Sequence, residues 1–399
     1  MKKILSLTVA LMLIVTCLAA CGTNGTKTSD NGDVIKIGVF EPTTGENGGG
    51  GVQEVLGIRY ANQLRNTVKI DGKEYKIELV EVDNQSDKSA AVTAAQSLVS
   101  SGVKAVLGSY GSGVSIAAGS TFADAKIPAI GVSCTNPQVT AGNDYYFRVC
   151  FLDPFQGTVM ANYAGETSGC KTAAVISQNG DDYSTGLANY FKKAFKGEVV
   201  YNGTYNTNES DFNAILTAAK AKNPDVIFCP SSIATAGLVI KQARELGITC
   251  PIMAGDTWEN ETIIANAGAK NCEGVTFSTF FDENDPTASD FVKGFKEYLN
   301  KDSKNITLNG GSDGVAAVSA LGFDAYNVAI DAIEAANSTD TTAIRDALKD
   351  VKRTGITGDI SFDENGDANK TMAYIKTVAD GKFKFIGTQS TDGKFNAVD

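Results

Sequence analysis

The chain is 399 residues long, carries 35 Lys and Arg against 46 Asp and Glu (a formal charge of −11), and contains no histidine. The missing imidazole excludes histidine-based nucleophilic catalysis and every zinc site that needs a histidine ligand. The acidic balance argues against a nucleic-acid binder, because neutralising phosphates requires clustered Lys and Arg. Since 43% of the residues are hydrophobic and 20% are charged, the composition is that of a globular protein with roughly two to four domains.

The N-terminal segment indicates export and attachment to a membrane. Two lysines precede an apolar stretch over residues 4–20, which is the layout of a secretory signal peptide and is marginal in length for a permanent span. The string LAACG around Cys21 resembles the cleavage box of bacterial lipoproteins, in which the cysteine is diacylated. We therefore predict a signal peptide over 1–20, and a lipidated Cys21 with a flexible tether over 21–33. An ordinary signal peptide with an incidental cysteine is the alternative.

Six cysteines remain beyond the signal peptide and Cys21. An even number outside the cytoplasm permits three disulfides, with about fifteen possible pairings. Buried free thiols are the alternative, because several of these residues lie in or beside apolar, strand-like runs. The sequence leaves the pairing open for Cys134, Cys150, Cys170, Cys229, Cys250 and Cys272.

The body of the chain alternates short apolar runs with segments of helical period. The first series predicts strands at 34–40, 76–83, 104–109 and 127–132, with helices at 52–66, 87–101 and 113–125. The second series predicts strands at 172–177, 198–203, 225–229, 251–254 and 274–278, with helices at 153–167, 183–195, 211–222, 233–246 and 259–267. The C-terminal part predicts helices at 286–300, 314–336 and 340–349, followed by strands near 359–362, 372–379 and 383–387.

This alternation predicts an α/β fold with parallel sheets and right-handed crossovers. Two separate series favour two doubly wound lobes, although periodicity alone does not exclude a closed barrel. The two halves also repeat one order of strand, hydroxyl-bearing loop, helix, strand and polar loop. In this repeat, 23 positions separate Ser112 from Thr135 and 24 separate Ser232 from Asp256. Because ligands sit beyond the carboxyl ends of parallel strands, these loops are expected around one cleft.

Four loops could carry chemistry. The glycine-rich string ENGGGG (46–51) is not a phosphate loop, because it lacks the Gly-Lys-Ser/Thr ending and the G-x-G-x-x-G spacing, so it predicts a flexible turn or a close backbone approach to a ligand. Ser112 either caps a helix or offers a carboxylate its hydroxyl and the N–H groups of a helix start. Thr135 follows the neighbouring strand, and Asp256 either caps a helix or faces a ligand ammonium. Together they fit a zwitterionic amino acid.

At these residues the sequence resembles a known family, the branched-chain amino-acid-binding lipoproteins of ABC importers, which have the type I periplasmic-binding-protein fold. The resemblance covers about residues 34–387. It rests on the order and spacing of the strings IKIGVFEPTTG, GIRYANQL, ELVEVDNQSD, VLGSYGSGVS, IPAIGVSCTNP, YYFRV, DDYSTGLA, MAGDTWEN and GDISFDENGD.

The resemblance implies roles for five residues of this chain. Ser112 matches the serine whose hydroxyl binds the ligand carboxylate, and Ser133 matches the position whose backbone carbonyl accepts from the ammonium. Thr135 matches the threonine that contacts both groups. Tyr183 matches the tyrosine of the second lobe that closes over the ligand, and Asp256 matches the acidic residue that pairs with the ammonium.

The chain also departs from the family's pattern. Gly50 and Ser232 fall where leucine-type relatives carry tyrosines, so the side-chain pocket is expected to be larger or more polar, which puts a preference for Leu, Ile or Val in doubt. Tyr110, Trp258 and Cys134 are candidates to line that pocket, and purely structural roles are their alternative.

The family's chain crosses between its lobes three times, which places the lobes of this chain as follows. We expect an N-terminal lobe of 34–152 plus 282–357 and a C-terminal lobe of 153–281 plus 358–399. The mechanism implied is capture of the ligand by hinge closure, followed by delivery to a membrane permease.

The resemblance implies ABC permease subunits as partners, a lipid anchor at Cys21, a monomer, and neither cofactor nor metal. A sensory module of the same fold, binding amides, small carboxylates or amino acids, is the rival interpretation. An amidase with Cys134 as nucleophile is a second rival, and the absence of a histidine to activate the thiol counts against it.

Overall fold

The computed structural model describes residues 33–398 of the chain. The predicted signal peptide, Cys21 and the tether up to residue 32 lie outside the described residues. Residues 35–398 belong to one compact unit that contains two β-sheets.

The first sheet is built from the N-terminal third of the chain. Its strands run in the order β2-β3-β1-β4-β5-β6, with β1, β4, β5 and β6 parallel and β2 antiparallel to β3. The central strands are short and fully buried, as expected for a sheet covered by helices on both faces. The strands are β1 Val34–Glu41, β2 Thr67–Ile70, β3 Lys73–Asp83, β4 Ala105–Leu107, β5 Ala129–Gly131 and β6 Tyr146–Arg148.

The second sheet has eight strands in the order β16-β15-β14-β11-β10-β9-β7-β8. Its β7 to β11 half is parallel, and β14 to β16 add an antiparallel meander on the far side of β11. A separate ribbon pairs β12 with β13. The strands are β7 Thr172–Gln178, β8 Glu198–Tyr205, β9 Val226–Phe228, β10 Ile252–Ala254, β11 Thr276–Thr279, β12 Arg353–Gly355, β13 Gly358–Ile360, β14 Ala373–Ala379, β15 Lys382–Gln389 and β16 Phe395–Ala397.

Helices follow most of the parallel strands, as crossover connections require. None of the described helices is long and apolar enough to cross a membrane. The helices are α1 Gly48–Leu64, α2 Lys88–Ser100, α3 Ser112–Asp124, α4 Asp153–Asn162, α5 Asp182–Ala194, α6 Asn213–Lys220, α7 Ile233–Glu245, α8 Glu261–Ala267, α9 Ala269–Cys272, α10 Ser289–Asn300, α11 Ser303–Leu308, α12 Ala317–Ala336 and α13 Thr341–Leu348. A π-helical turn extends α4 over Tyr163–Thr167, and 3₁₀ turns lie at Pro137–Val139, Asp256–Trp258 and Pro286–Ala288.

The chain passes between the two sheets more than once. It leaves the first sheet after β6, builds β7 to β11, and then returns with α12, which packs along α1 of the first lobe. After α12 it rejoins the second sheet at β14. The two helices approach closely, because a Cβ atom on Gly57 would lie only 1.9 Å from the carbonyl oxygen of Ser319. The predicted fold of two α/β lobes is confirmed. The sheets are not parallel throughout, contrary to the prediction, because β2–β3 and β14–β16 form antiparallel pairs towards the sheet edges.

The predicted order of strands and helices is confirmed, but α1 begins earlier than predicted. The four glycines of 48–51 form its first turn, so the expected flexible turn is wrong at these residues. Glycine is required within this turn because neighbouring atoms leave no room for a side chain. A Cβ atom on Gly51, for example, would collide with the Pro42 carbonyl. The elements that sequence analysis missed are β2, β6, α9, α11, β12 and β16.

The six cysteines among the described residues are free thiols, five of them buried and Cys250 partly buried. This agrees with the alternative of buried free thiols. Cys134 belongs to a first-lobe hydrophobic cluster that also contains Phe40, Phe122 and Tyr146.

Candidate ligand-binding site

Loops at the carboxyl ends of parallel strands in both sheets converge on one small cavity. Tyr110 and Ser112 follow β4 of the first sheet, while Ser232 and Thr257 follow β9 and β10 of the second, and Tyr183 lies in the first turn of α5. The cavity has a volume of about 20 Å³, which is room for a single water molecule. Its lining residues are Asn47, Tyr110, Gly111, Ser112, Asp181, Tyr183, Ser232 and Thr257.

The lobes touch directly around this cavity. The amide of Ala234 donates to the Glu46 carbonyl at 3.1 Å, immediately beside the start of α7. On another side, Lys88 Nζ of α2 lies 2.8 Å from Asp182 Oδ2 of α5. Asn260 Nδ2 donates across the interface to Gln53, at 3.1 Å. These contacts define a closed arrangement of the two lobes.

Asp256 is a buried acid of the second lobe that contacts the cavity lining through Tyr183 and does not itself line the cavity. Its Oδ1 accepts from Gln156 Nε2 at 2.8 Å and from the Tyr183 hydroxyl at 3.1 Å. Burial raises the pKa of Asp256 to about 6, against the opposing effect of the Gln156 and Tyr183 hydrogen bonds. The structure thus brings together two of the predicted residues, Asp256 and Tyr183. At neutral pH the carboxyl is an anion with one oxygen held by neutral donors, which is a suitable partner for a ligand ammonium.

Ser112 lines the cavity from the first lobe, whereas Thr135 lies outside the lining. Ser112 is the first residue of α3, and its Oγ accepts from the Asn136 amide at 3.2 Å. A ligand carboxylate at this place would meet the Ser112 hydroxyl and the positive end of the helix. The Thr135 hydroxyl lies beside the buried carboxyl of Asp153. Burial raises the pKa of Asp153 to about 8, against the opposing effect of the Thr135 hydroxyl. The structure therefore places Thr135 next to a carboxyl group that sequence analysis did not consider.

Ser133 contacts a pair of buried carboxyl groups. Its Oγ donates to Glu54 Oε1, and the Glu54 carboxyl is in turn hydrogen-bonded to that of Glu41. Burial raises the pKa of Glu54 to about 8, and burial together with the neighbouring Glu54 raises the pKa of Glu41 well above its usual value. One shared proton accounts for both groups being buried without a cation.

Gly50 and Tyr110 are directly opposed. A Cβ atom on Gly50 would lie 2.2 Å from Cε2 and 2.4 Å from Cζ of Tyr110, so the phenol ring occupies the space that a side chain at position 50 would fill. The expectation that Gly50 enlarges the pocket is therefore wrong in this closed arrangement. Tyr110 itself lines the cavity, as predicted.

Two other candidate lining residues lie behind the cavity wall. Trp258 is only 1% exposed and donates from Nε1 to Ser231 Oγ at 3.1 Å, within the main hydrophobic core. Cys134 Sγ packs towards Gly131 in the first-lobe core. Neither lines the cavity, so for both residues the structural alternative is the one the structure supports. Ser232 lines the cavity and also caps α7, with its Oγ accepting from the Thr235 amide at 3.4 Å.

Comparison with known families decides the class of protein. A family model described as "Periplasmic binding protein" matches residues 34–382, nearly the whole of the described chain. The chain belongs to the periplasmic binding protein family. It is a substrate-binding protein of the ABC-transporter type with an extracytoplasmic location, and it is not an enzyme.

Curated relatives extend over most of this binding protein. A "Leu/Ile/Val-binding protein homolog 1" from Brucella suis is 30% identical over 365 residues, which is 88% of this chain and 93% of the relative. An "Amino acid binding protein" from Pseudomonas aeruginosa is 34% identical over 261 residues, 64% of this chain and 68% of the relative. The resemblance stated from the sequence is confirmed.

Solved structures give the same answer for the fold. The leucine-binding protein LivK from Thermotoga maritima matches with a TM-score of 0.82 at 34% identity, covering 90% of this chain and all of its own. The branched-chain amino-acid-binding protein LivJ from Streptococcus pneumoniae, solved with isoleucine, matches with a TM-score of 0.80 at 30% identity. It covers 90% of this chain and 99% of that one.

Sequence analysis missed several side chains that shape this binding protein's site. Gln156 and Asp153 lie in the first turn of α4, and Arg148 is fully buried, donating from Nη1 to the Cys134 and Asn136 carbonyls at 2.7 and 2.8 Å. Arg148 thereby fixes the loop that carries Ser133 and Thr135. The sequence contains one sign of this role, the single arginine in the apolar string YYFRV. An isolated charge in a buried strand needs hydrogen-bonding partners, so such an arginine indicates polar groups nearby. Within residues 33–398, no group of three or more acidic or thiol side chains could hold a metal ion.

Proposed function

We propose that this binding protein captures an L-α-amino acid between its lobes and delivers it to the permease of an ABC importer. The observation that carries the proposal is a buried anion, Asp256, bonded to the cavity-lining Tyr183 on the second lobe, together with the Ser112 hydroxyl and the start of α3 in the lining from the first lobe. The first suits an ammonium and the second a carboxylate, so the site matches the common part of every α-amino acid. The names of the curated relatives support the same ligand class.

Closure is the mechanism we infer. The closed cavity has room for about one water molecule, so the lobes must separate for a ligand of several atoms to enter. A ligand that binds both walls at once then favours the closed arrangement, because it interacts with both lobes only in that state. The rim contacts between Lys88 and Asp182, and between Ala234 and Glu46, form with closure and add to it.

Asp256→Asn tests the amino-acid assignment. The amide keeps the size of the side chain and removes its charge, so the ligand ammonium loses its anion in a buried site. We expect the affinity to fall by about 100-fold or more, measured by calorimetry with the amino acid that gives the largest thermal shift in a screen of all twenty. Asp290→Asn, which removes an exposed charge from α10, is the matched control. Unchanged affinity in Asp256→Asn would exclude the ammonium assignment.

The raised pKa of Asp256 predicts that the affinity for the ligand depends on pH. A proton on Asp256 competes with the ligand ammonium, and the pKa of this carboxyl is raised to about 6. The wild-type affinity should be constant above about pH 7 and should weaken as the pH falls through 6, by up to about tenfold per pH unit. The residual affinity of Asp256→Asn should lack this step.

We also propose that Cys21 carries a lipid that holds the protein at the outer face of the cell membrane. The supporting observation is the string LAACG after a signal-like stretch. Cells fed labelled palmitate should label the wild-type chain and not Cys21→Ser. Equal labelling of both would contradict the anchor.

A further inference from the structure

Tyr110 is held in the cavity wall from three sides. Its amide donates to Glu41 Oε2 at 2.8 Å, its hydroxyl donates across the lobes to the Thr257 carbonyl at 3.4 Å, and its ring lies over Gly50. The residue is only 6% exposed. Because its contacts come from both lobes, its ring position belongs to the closed arrangement of the lobes.

The ring also sets the free space beside the ligand's common atoms. Ser112 lies two residues beyond Tyr110 in the same loop, and Thr257 follows Asp256 directly, so Tyr110 stands between the two walls that we assign to the carboxylate and the ammonium. Glycine at position 50 and serine at position 232 would together open a wide pocket. The Tyr110 ring fills the first of these spaces.

We propose that Tyr110 is a specificity-determining residue that restricts the ligand to α-amino acids with small side chains: glycine, alanine and serine. This inference rests on the proposed function and goes beyond it by naming the ligand's size class. A bulky side chain such as that of leucine would have to displace a ring whose hydroxyl is hydrogen-bonded to the second lobe, and closure would then lose the Tyr110–Thr257 contact. A hydrogen, methyl or hydroxymethyl group needs the least space beside the ring, and Ser232 and Thr257 offer hydroxyl groups to a serine side chain.

The test is calorimetry of residues 22–399, which contain the whole compact unit, with glycine, alanine, serine, valine, leucine and phenylalanine. The chain is first unfolded and refolded to remove carried-over ligand. We expect the wild type to bind alanine or serine at least about 100-fold more tightly than leucine, in line with the discrimination that a few carbon atoms allow. Tyr110→Ala should shift the leucine-to-alanine affinity ratio by at least about tenfold towards leucine.

Tyr110→Phe is the matched control, because it keeps the ring and removes only the hydroxyl, so the size preference should remain. Tyr110→Leu serves as the second variant if Tyr110→Ala does not fold, as judged by its melting transition. A wild type that prefers leucine or phenylalanine, or an unchanged leucine-to-alanine ratio in Tyr110→Ala, overturns the size restriction while leaving amino-acid capture intact. A wild type that binds none of the twenty amino acids overturns the proposed function itself.

Discussion

Glu41 and Glu54 are adjacent carboxyl groups, both fully buried, beneath Ser133. Two neighbouring buried carboxylates that were both charged would repel each other strongly, so the pair holds a proton at neutral pH. The pKa of Glu54 is raised to about 8 by burial, which is far above its value in an unfolded chain. The arrangement therefore makes folding consume protons.

Stability should consequently depend on pH in a defined direction. A carboxyl whose pKa is raised by folding is more protonated in the folded state, so the free energy of unfolding falls as the pH rises from about 4.5 to about 8. Asp153, whose pKa is also raised to about 8, acts in the same direction. Glu54→Gln removes one of these groups and should flatten the pH dependence of the unfolding free energy by up to about 1.4 kcal/mol per pH unit.

The measurement is urea unfolding at pH 5.5, 7 and 8.5 in buffer free of amino acids. Glu74→Gln, at an exposed position of β3, is the matched control and should leave the slope as in the wild type. A Glu54→Gln protein with the wild-type slope would show that the pair does not titrate in this range.

At the residue scale, the family resemblance identified residues of the site, but it did not predict the contacts around them. The resemblance pointed to Ser112 and Tyr183, which line one cavity, and to Asp256, which is hydrogen-bonded to Tyr183 behind the lining. It did not reveal that Cys134 points into the core, since the direction of a loop side chain depends on the path that Arg148 imposes. Such long-range contacts leave no local signal in the sequence.

The close packing of α1 on α12 connects the site to the rest of the first lobe. The Ser319 hydroxyl donates to the Gln53 carbonyl at 2.8 Å, one residue before Glu54. Gly57 and Gly322 permit this approach, because a Cβ atom on either would meet backbone atoms of the other helix. The helix that presents Gly50 and Glu54 to the cleft is therefore positioned by a segment that lies more than 250 residues later in the chain.

Gly57→Ala should destabilise the fold through this contact. The new methyl group would lie 1.9 Å from the Ser319 carbonyl oxygen, and the helices would have to move apart. We expect a loss of about 1–3 kcal/mol in the free energy of unfolding, measured in urea. Gly165→Ala is the control, since its nearest neighbour would be Phe195 at an ordinary 3.7 Å. Equal stability of the two variants would contradict the close packing.

At the element scale, the hydrophobic periodicity predicted the order of the strands and helices. It failed where glycines or a very short element leave too few apolar side chains to form a pattern. The first turn of α1 consists of four glycines, which on their own predict a turn, and only tertiary packing makes it helical. β6 has only three residues and is paired with β5 through backbone contacts that periodicity does not register.

The whole molecule joins two lobes that meet through polar contacts around a nearly filled cavity. Lys88–Asp182 and Asn260–Gln53 lie at the interface, and Tyr110 bridges it at the centre. Water can replace the partly exposed Lys88–Asp182 pair when the lobes separate, so this pair contributes only weakly to the balance between the open and closed arrangements. We infer that an amino acid held between Ser112 and Asp256 tips this balance towards closure.

The most direct test of amino-acid capture is a crystal structure of residues 22–399 with the amino acid that stabilises them most. We predict the ligand nitrogen within about 2.7–3.2 Å of an Asp256 carboxylate oxygen and the ligand carboxylate at Ser112 and the start of α3, with the lobes closed. A ligand bound elsewhere, or one bound in this cleft with its amine away from Asp256, would contradict the account.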